Sequence, residues 1–233
     1  EPHLQPIVSL ADGQVLGYEA LLRWRHAKRG LLRPADFLTV AEESGNVEQI
    51  DWQLYEQVCS AISKLHDPDA YVSINVSARH FRSPKLVHNL LGLLDAHHVP
   101  TRRVRIEIIV SVLLAYPEQA RATMLELRAS GVLTILDDFG TGYSSLSYLH
   151  RFPLHALKID RSFVAELNAD LSGSCAAVIR AIRALAGSLG MEVIAEGIET
   201  PVQCEALLRL ECMIGQGFLF DQPRPVPELI YAS

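Results

Sequence analysis

The chain alternates short apolar or β-branched runs with segments of helical periodicity, and this alternation restricts its fold more than any other feature. The predicted strands are LQPIVSL, VLGYEALLRW, YVSINVS, VRIEIIV, VLTILDDF, LHALKID, MEVIAEG and MIGQGFLF. Repeated strand–helix units favour an α/β domain with parallel strands, most simply a single-domain (β/α)8-type barrel. An open doubly wound sheet is the alternative, but no GxGxxG turn follows the first strand.

The segments between the strands carry helix-end signals. Asn46 is predicted to cap a helix, with Gln49 in the capping-box position. Pro117 opens a later helix and Gly131 closes it, as expected for helix ends.

Composition and net charge limit the cellular compartment and the classes of binding partner that fit this chain. The net charge is −6 and no basic run occurs, which argues against extended nucleic acids as partners. Four cysteines without CxxC spacing predict reduced thiols in a cytoplasmic domain.

No apolar run approaches the ~20 residues of a membrane span. The chain begins inside a predicted strand and without methionine, so residues 1–233 are expected to be one domain of a longer multidomain protein, which could itself be membrane-tethered.

Nearly every predicted strand ends on a polar residue that its apolar run does not predict. These residues are Glu19, Asn75, Glu107, Asp137, Asp138, Lys158, Glu196 and Gln216. Strand ends converge at the C-terminal face of a barrel, where active sites of this architecture lie. Oxygen ligands select hard cations such as Mg²⁺ or Mn²⁺, and so many carboxylates predict a two-ion site suited to phosphodiester hydrolysis. Lys158 is expected to position or deprotonate a water there, with a pKa depressed by the ions.

The adjacent carboxylates of Asp137 and Asp138 pose a geometric question. Side chains alternate along a strand, so both can face one site only if the strand ends there. Neighbouring carboxylates also repel each other unless a cation lies between them. The stretch therefore predicts a cation site at a strand end, followed by the glycine-rich loop FGTGYSS.

Several of these residues have a structural alternative. Glu19 alone would suit the surface of a half-exposed strand. Asn75 and Ser77 could cap the helix that follows them, and Glu196 could be a helix N-cap. Lys158 and Asp160 could form a simple ion pair. The placement of polar residues at successive strand ends favours the functional interpretation over these separate explanations.

Read in order, several segments resemble the EAL domain family, bacterial phosphodiesterases and receptors for cyclic di-GMP. They include QPIV at Gln5, EALLRW at Glu19, INVSARHF around Asn75, LDDFGTGYSSLSYL around Asp137, LKIDRSF around Lys158, VIAEGIET around Glu196 and QGFLF at Gln216. The resemblance spans almost the whole chain and implies a modified (β/α)8 TIM-like barrel. It also implies Mg²⁺- or Mn²⁺-dependent opening of cyclic di-GMP to linear pGpG in bacterial signalling and biofilm control, inhibition by Ca²⁺, a homodimer, and fused regulatory domains outside this chain.

The resemblance implies a role for each matching position. The metal ligands would be Glu19, Asn75, Glu107, Asp137, Asp138 and Glu196, and Lys158, Glu196 and Glu19 would form the catalytic set. Substrate contacts would come from Gln5, Leu22, Arg23, Asp160 and Gln216, with Glu199 supporting them. The loop would comprise Phe139, Gly140, Thr141, Gly142, Tyr143, Ser144 and Ser145.

One position departs from the family pattern. The family usually reads E-x-T-E where this chain has Glu107-Ile108-Ile109-Val110. In the family, the second glutamate anchors the loop after the aspartate pair, and a valine cannot accept hydrogen bonds from it. The second metal site is expected to weaken, because supporting residues outside the ligand set can change metal affinity or activity by about 10–100-fold. Two functions follow: an active phosphodiesterase, or a receptor that binds cyclic di-GMP with little or no turnover.

Overall fold

The computed structural model describes residues 1–65, 67–140 and 146–230, without the side chains of residues 146–148 and 230. The strands are β1 Pro2–Ser9, β2 Val15–Leu22, β3 Trp24–His26, β4 Gly30–Leu32, β5 Tyr71–Asn75, β6 Val104–Ile109, β7 Leu133–Phe139, β8 Ala156–Ile159, β9 Glu192–Ala195, β10 Ile214–Gly215 and β11 Arg224–Pro225. The α-helices are α1 Leu38–Glu43, α2 Val47–Ile62, α3 Ala78–Phe81, α4 Leu86–Ala96, α5 Val110–Ala115, α6 Pro117–Ala129, α7 Arg161–Ala165, α8 Ser174–Ser188, α9 Pro201–Arg209 and α10 Val226–Ile230. Short 3₁₀ turns span Pro34–Asp36, Thr101–Arg103 and Leu146–Arg151.

Eight strands close into a barrel, which confirms the expected architecture. The order is β1-β2-β5-β6-β7-β8-β9-β10, and β10 pairs with β1 to complete the ring. The seven other barrel strands run parallel to one another, but β1 is antiparallel to both of its barrel neighbours. An all-parallel sheet is therefore wrong for β1. The reason is the short connection to β2, because a parallel pair needs a crossover of about a dozen residues or more.

Alternation along the strands builds an apolar layer and a polar layer inside the barrel. A small buried cluster contains Ile135 of β7, Ala156 of β8 and Ile194 of β9. Two residues later come Asp137 of β7, Lys158 of β8 and Glu196, the residue that follows β9. Because the side-chain period of a strand is two, these polar groups face the same interior as the apolar cluster. The polar residues thus form a layer above an apolar floor, toward the carboxyl ends of the parallel strands.

Two local expectations are wrong. Asn46 precedes α2 with a helical backbone and makes no side-chain capping bond, since its amide donates to Ser44 Oγ instead. The last predicted strand is shorter than its apolar run, because β10 covers only Ile214–Gly215. Beyond it the chain packs so tightly that a Cβ on Gly217 would overlap the backbone of Ile198.

The four cysteines are free thiols, as predicted. None of the helices in the described part of the chain combines the length and apolar character needed to cross a membrane.

Candidate active site

Lys158 lies at the centre of the polar layer and is fully buried. Its Nζ is 2.6 Å from Glu196 Oε1, 2.8 Å from Glu107 Oε2 and 3.0 Å from Glu19 Oε2. A fourth carboxylate, Asp137 Oδ1, is 3.8 Å away. Acids of β2, β6 and β7 and the residue that follows β9 therefore converge on the one ammonium group of β8, which explains how so many acids are tolerated inside the barrel.

The carboxylates control the charge of this lysine. Burial alone would lower the pKa of Lys158, but Asp137, Glu107, Glu19 and Glu196 raise it well above its usual value. The depressed pKa expected from the sequence refers to a lysine beside metal ions, and it stays a prediction. A lower pKa would require additional positive charge beside the amine.

Glu19 is the most extensively hydrogen-bonded acid of the centre. Its Oε1 accepts from Asn75 Nδ2 at 2.9 Å, and its Oε2 accepts from Gln216 Nε2 at 2.5 Å as well as from Lys158. Burial opposes ionisation, yet Lys158 and the two amides together lower the pKa of Glu19. Gln216 Nε2 also lies 3.1 Å from Glu196 Oε1 and so links the two acids.

The pKa values of Glu107 and Glu196 are raised, in contrast to that of Glu19. Burial and the neighbouring Glu19 raise the pKa of Glu107 well above its ordinary value. Burial raises the pKa of Glu196 to about 8, although Lys158 opposes the shift. One lysine therefore does not offset the negative charge that the acids would carry if all of them were ionised.

A bulge in β7 brings both adjacent aspartates to the site. The register with β8 breaks between Leu136 and Phe139, and Asp138 has a φ of 56°, in the left-handed region. β7 ends at Phe139, as the predicted strand VLTILDDF does, and the bulge near this strand end allows both aspartates to approach one site. Carboxylate oxygens of Asp137, Asp138 and Glu196 lie within 4.8 Å of one another. Burial and Asp137 raise the pKa of Asp138, as expected for two crowded acids.

These residues fit a divalent-cation site. The donors are carboxylate and amide oxygens, the ligand type that Mg²⁺ and Mn²⁺ prefer. Among the residues that the structure describes, Glu107 Oε1 is buried and has no hydrogen-bond partner. A buried oxygen without a partner is costly, and a cation would satisfy it. The predicted ligands therefore converge near Lys158, and two of its acids, Asp137 and Glu196, also form a group of three with Asp138.

The expected phosphate-binding arginine, Arg23, directly follows the strand that carries Glu19. Leu22 and Arg23 line a cavity of about 500 Å³ together with Trp24, Arg29 and Phe37. The Arg23 Nη1 donates to the carbonyl of Leu22 at 2.8 Å. The cavity combines guanidinium groups with aromatic rings, which suits a ligand with a phosphate and a flat base. The aromatic lining was not foreseen from the sequence, because it depends on the hairpin of β3 and β4.

The remaining residues predicted to contact or support the substrate differ in their surroundings. Gln5 is opposite Glu19 in the β1–β2 register, and its Nε2 donates to the Asp221 carbonyl. Asp160 caps α7 by accepting from the Ser162 backbone N–H, so a structural role for it is established. Glu199 is exposed, and its backbone N–H donates to Gln203 Oε1.

The capping alternatives for Asn75 and Glu196 are wrong. Ser77 caps α3, and Thr200 caps α9 with Gln203 completing a capping box. The side chains of Asn75 and Glu196 instead lie at the centre described above.

Part of the glycine-rich loop can be placed. Phe139 is buried, and Gly140 has a φ of 106° with the Phe163 ring against its Cα. Residues 141–145, which carry Thr141, Gly142, Tyr143, Ser144 and Ser145, lie outside the described residues. Val110 is the first residue of α5 and follows Ile109, which pairs with Asp137 in the β6–β7 register.

Three supporting residues were missed from the sequence. Asp51 and Tyr55 of α2 and His80 of α3 form buried hydrogen bonds and ring contacts next to Asn75. The available signal was an aspartate at position 51, close to the apolar residues on the inner face of the helix. Its partners are distant in sequence, so the signal did not identify them.

Known proteins with the same pattern identify the family. The EAL domain family matches residues 1–223. The cyclic di-GMP phosphodiesterase NbdA of Pseudomonas aeruginosa is 38% identical over 232 residues, which cover 98% of this chain and 29% of that protein. The cyclic di-GMP phosphodiesterase RocR of the same organism is 37% identical over 227 residues, covering 97% of this chain and 57% of that protein. The chain therefore spans less than two thirds of the length of either relative.

Solved structures agree with the fold. The structure of PaMucR phosphodiesterase in complex with c-di-GMP superimposes with a TM-score of 0.91 at 38% identity, covering 98% of this chain and 93% of that one. A cAMP- and cyclic-di-GMP-bound form of the EAL enzyme Bd1971 gives a TM-score of 0.93 at 33% identity, covering 100% of this chain and 64% of that one. The match over the whole barrel shows that this chain belongs to the EAL domain family.

Proposed function

We propose that this domain hydrolyses cyclic di-GMP to linear pGpG with Mg²⁺ or Mn²⁺ at the carboxylate centre. The observation that carries the proposal is the buried Lys158 among four carboxylates, next to the three-acid group of Asp137, Asp138 and Glu196. The relatives NbdA and RocR bear the name of this activity, and the similar PaMucR structure is a complex with this nucleotide.

The donor set divides between two cation positions. Glu19, Asn75, Glu107 and Asp137 would hold one ion, and Asp137, Asp138 and Glu196 would hold the other. When bound, such ions polarise a phosphodiester and lower the pKa of a water molecule. Asp137 would be shared between the two positions, since it is near Lys158 and also within the three-acid group.

The chain's own groups bind the substrate and move the proton. Arg23 would bind a substrate phosphate, because a guanidinium presents paired N–H donors to phosphate oxygens. Lys158 Nζ would orient the attacking water and exchange a proton with it once its pKa is lowered. Gln216 would hold Glu19 and Glu196 in place through its amide. Gln5, Leu22 and Asp160 would complete the substrate contacts, with Glu199 outside them.

A receptor that binds cyclic di-GMP with little turnover is the second candidate. Val110 favours it, because a valine lacks the acceptor that anchors the loop in other members of the family. The intact set of acids around Lys158 favours the enzyme, since binding alone gives no reason for a buried ammonium among four carboxylates.

Product analysis distinguishes the two candidates. Purified domain is incubated with cyclic di-GMP and Mn²⁺, and linear pGpG is followed by chromatography, with Glu19→Ala as the inactive control. We expect product from the unmodified domain and suppression by Ca²⁺. Tight binding without product beyond the control would identify a receptor, and absence of both binding and product would reject both functions.

Assembly and location extend the proposal to the whole protein. We expect a homodimer, fused regulatory domains outside residues 1–233, and a cytoplasmic position for this domain. Light scattering of the purified domain tests the dimer, and a monomer at every concentration would contradict it.

A further inference from the structure

A buried polar network joins α2 and α3 outside the carboxylate centre. Asp51 Oδ2 accepts a hydrogen bond from Ser77 Oγ at 2.8 Å and lies 3.1 Å from His80 Nδ1. His80 is 1% exposed and stacks on the Tyr55 ring, with 5.7 Å between centroids and 7° between planes. A polar network in the interior costs free energy unless its groups are paired, so its pairing makes it rigid.

This network ends on the main chain of Asn75. Tyr55, one helical turn after Asp51, donates its hydroxyl to the Asn75 carbonyl at 3.0 Å. The next residue, Val76, donates its N–H to the Glu107 carbonyl at 3.0 Å. The peptide group after Asn75 is therefore held from α2 on one side and from β6 on the other. Ser77, which caps α3, holds the same turn two residues later.

The orientation of a peptide group determines the direction of the side chain attached to it. Asn75 Nδ2 lies 2.9 Å from Glu19 Oε1, so the side chain already faces the acids of the centre. A metal ligand must be held within about 0.5 Å of its productive position by its supporting residues. Among the described residues, the Tyr55 hydroxyl is the side-chain donor on the Asn75 carbonyl.

We propose that Tyr55 and Asp51 are positioning residues that orient Asn75 for cation binding. The inference deepens the proposed function and rests on it only in taking Asn75 as a ligand. Tyr55 acts directly on the Asn75 carbonyl, and Asp51 acts through Ser77 and His80, which fix the turn and the ring beside Tyr55.

A matched pair of tyrosine variants tests this role. Tyr55→Phe removes only the hydroxyl, and Tyr71→Phe makes the same change in a buried tyrosine at the opposite end of β5, where the ring lies under Arg105. Mn²⁺ binding to the complete domain is measured by electron paramagnetic resonance without nucleotide, together with the melting temperature in EDTA. Asp51→Asn, which keeps the shape and removes the charge, is the second variant of the network.

We expect Tyr55→Phe to weaken Mn²⁺ binding by about 10–100-fold, the effect of losing a supporting contact to a ligand. Asp51→Asn should weaken it in the same direction, and Tyr71→Phe should leave it unchanged. Turnover of Tyr55→Phe should recover at high Mn²⁺, which a general loss of structure would not allow.

Equal Mn²⁺ affinity for Tyr55→Phe and the unmodified domain would overturn the inference, as would an equal loss in both tyrosine variants. If Tyr55→Phe does not fold, the Mn²⁺ affinity of Asp51→Asn is compared with that of Tyr71→Phe, and the same two outcomes would overturn the inference. Mn²⁺ binding is measured without nucleotide and is therefore independent of turnover. If the unmodified domain forms no pGpG but Tyr55→Phe alone loses Mn²⁺ affinity, the proposed function is rejected and the inference is retained.

Discussion

Lys158 Nζ and Glu196 Oε1 lie 2.6 Å apart, joining the ends of neighbouring strands β8 and β9 across the barrel interior. Lys158 also contacts Glu19 and Glu107, so its charge stabilises acids from three other strands. The centre is therefore a shared electrostatic unit, and changing one member should alter the protonation and cation binding of the others.

Removal of Lys158 should destabilise the metal-free domain. Lys158→Met retains much of the side-chain volume but leaves buried Glu19, Glu107 and Glu196 without their cation. Breaking a buried ion pair costs about 3–5 kcal/mol, so we expect a clearly lower melting temperature in EDTA.

Mn²⁺ should then stabilise the Lys158→Met variant more than the unmodified domain, because the ammonium no longer repels the ions. Lys64→Met, at an exposed lysine, is the control; equal melting of both variants would contradict the compensation role.

Cation binding should strengthen as the pH rises toward 8. The pKa of Glu196 is about 8, above the ordinary value of 4.5, because the acid is buried. The folded state thus favours protonated Glu196, so its contribution to metal-free stability is complete below about pH 4.5 and is lost as the pH rises through about 8. A cation needs the ionised form, so Mn²⁺ affinity should rise up to tenfold per pH unit between about pH 6 and 8 and then level.

Melting temperatures in EDTA and in Mn²⁺ across this pH range check the prediction. Glu196→Gln should flatten the difference between the two conditions. A Mn²⁺ affinity of the unmodified domain that does not change with pH would be inconsistent with the raised pKa.

Restoring the family acid at position 110 should strengthen the second cation position. In Val110→Glu a carboxylate is available to anchor the loop after the aspartate pair, and we expect higher turnover or a lower Mn²⁺ requirement by up to about 10–100-fold. Ser111→Glu adds the same charge at the neighbouring exposed residue and should have little effect. Unchanged kinetics in Val110→Glu would mean that the loop is anchored by other contacts.

Gly197 should be needed for both stability and cation binding. It has a φ of 68°, and a Cβ there would overlap the side chain of Arg161. Gly190→Ala is a matched control, because Gly190 has a φ of 69° but open space around its Cα. The left-handed backbone should cost each alanine variant about 1–2 kcal/mol in the free energy of unfolding. Gly197→Ala should lose more and should also weaken Mn²⁺ binding by displacing Glu196; identical behaviour in both variants would exclude the steric effect.

The sequence was most informative where a local pattern decides the structure. Alternation on β7, β8 and β9 places Asp137, Lys158 and Glu196 two residues beyond an apolar layer, so both the barrel and its polar mouth could be predicted. The fit of the acids around Lys158 follows from the closure of the ring.

Features that depend on distant contacts could not be predicted. The bulge at Asp138 depends on the register of β7 with β8, and the Tyr55 bond to Asn75 joins residues 20 positions apart. The direction of β1 did have a local signal, because the connection between β1 and β2 is too short for a parallel pair. The prediction of parallel strands for the whole chain did not take this connection into account.

The reversed direction of β1 also has a consequence for how other parts of a protein can reach this centre. Pro2 pairs with Leu22, and the Arg23 backbone N–H donates to the Glu1 carbonyl at 2.9 Å. In an all-parallel barrel the amino end of the first strand lies at the opposite face from the active site. In this one, a polypeptide joined ahead of β1 would enter beside Arg23, where a displacement of a few ångströms acts directly on the residue proposed to bind phosphate.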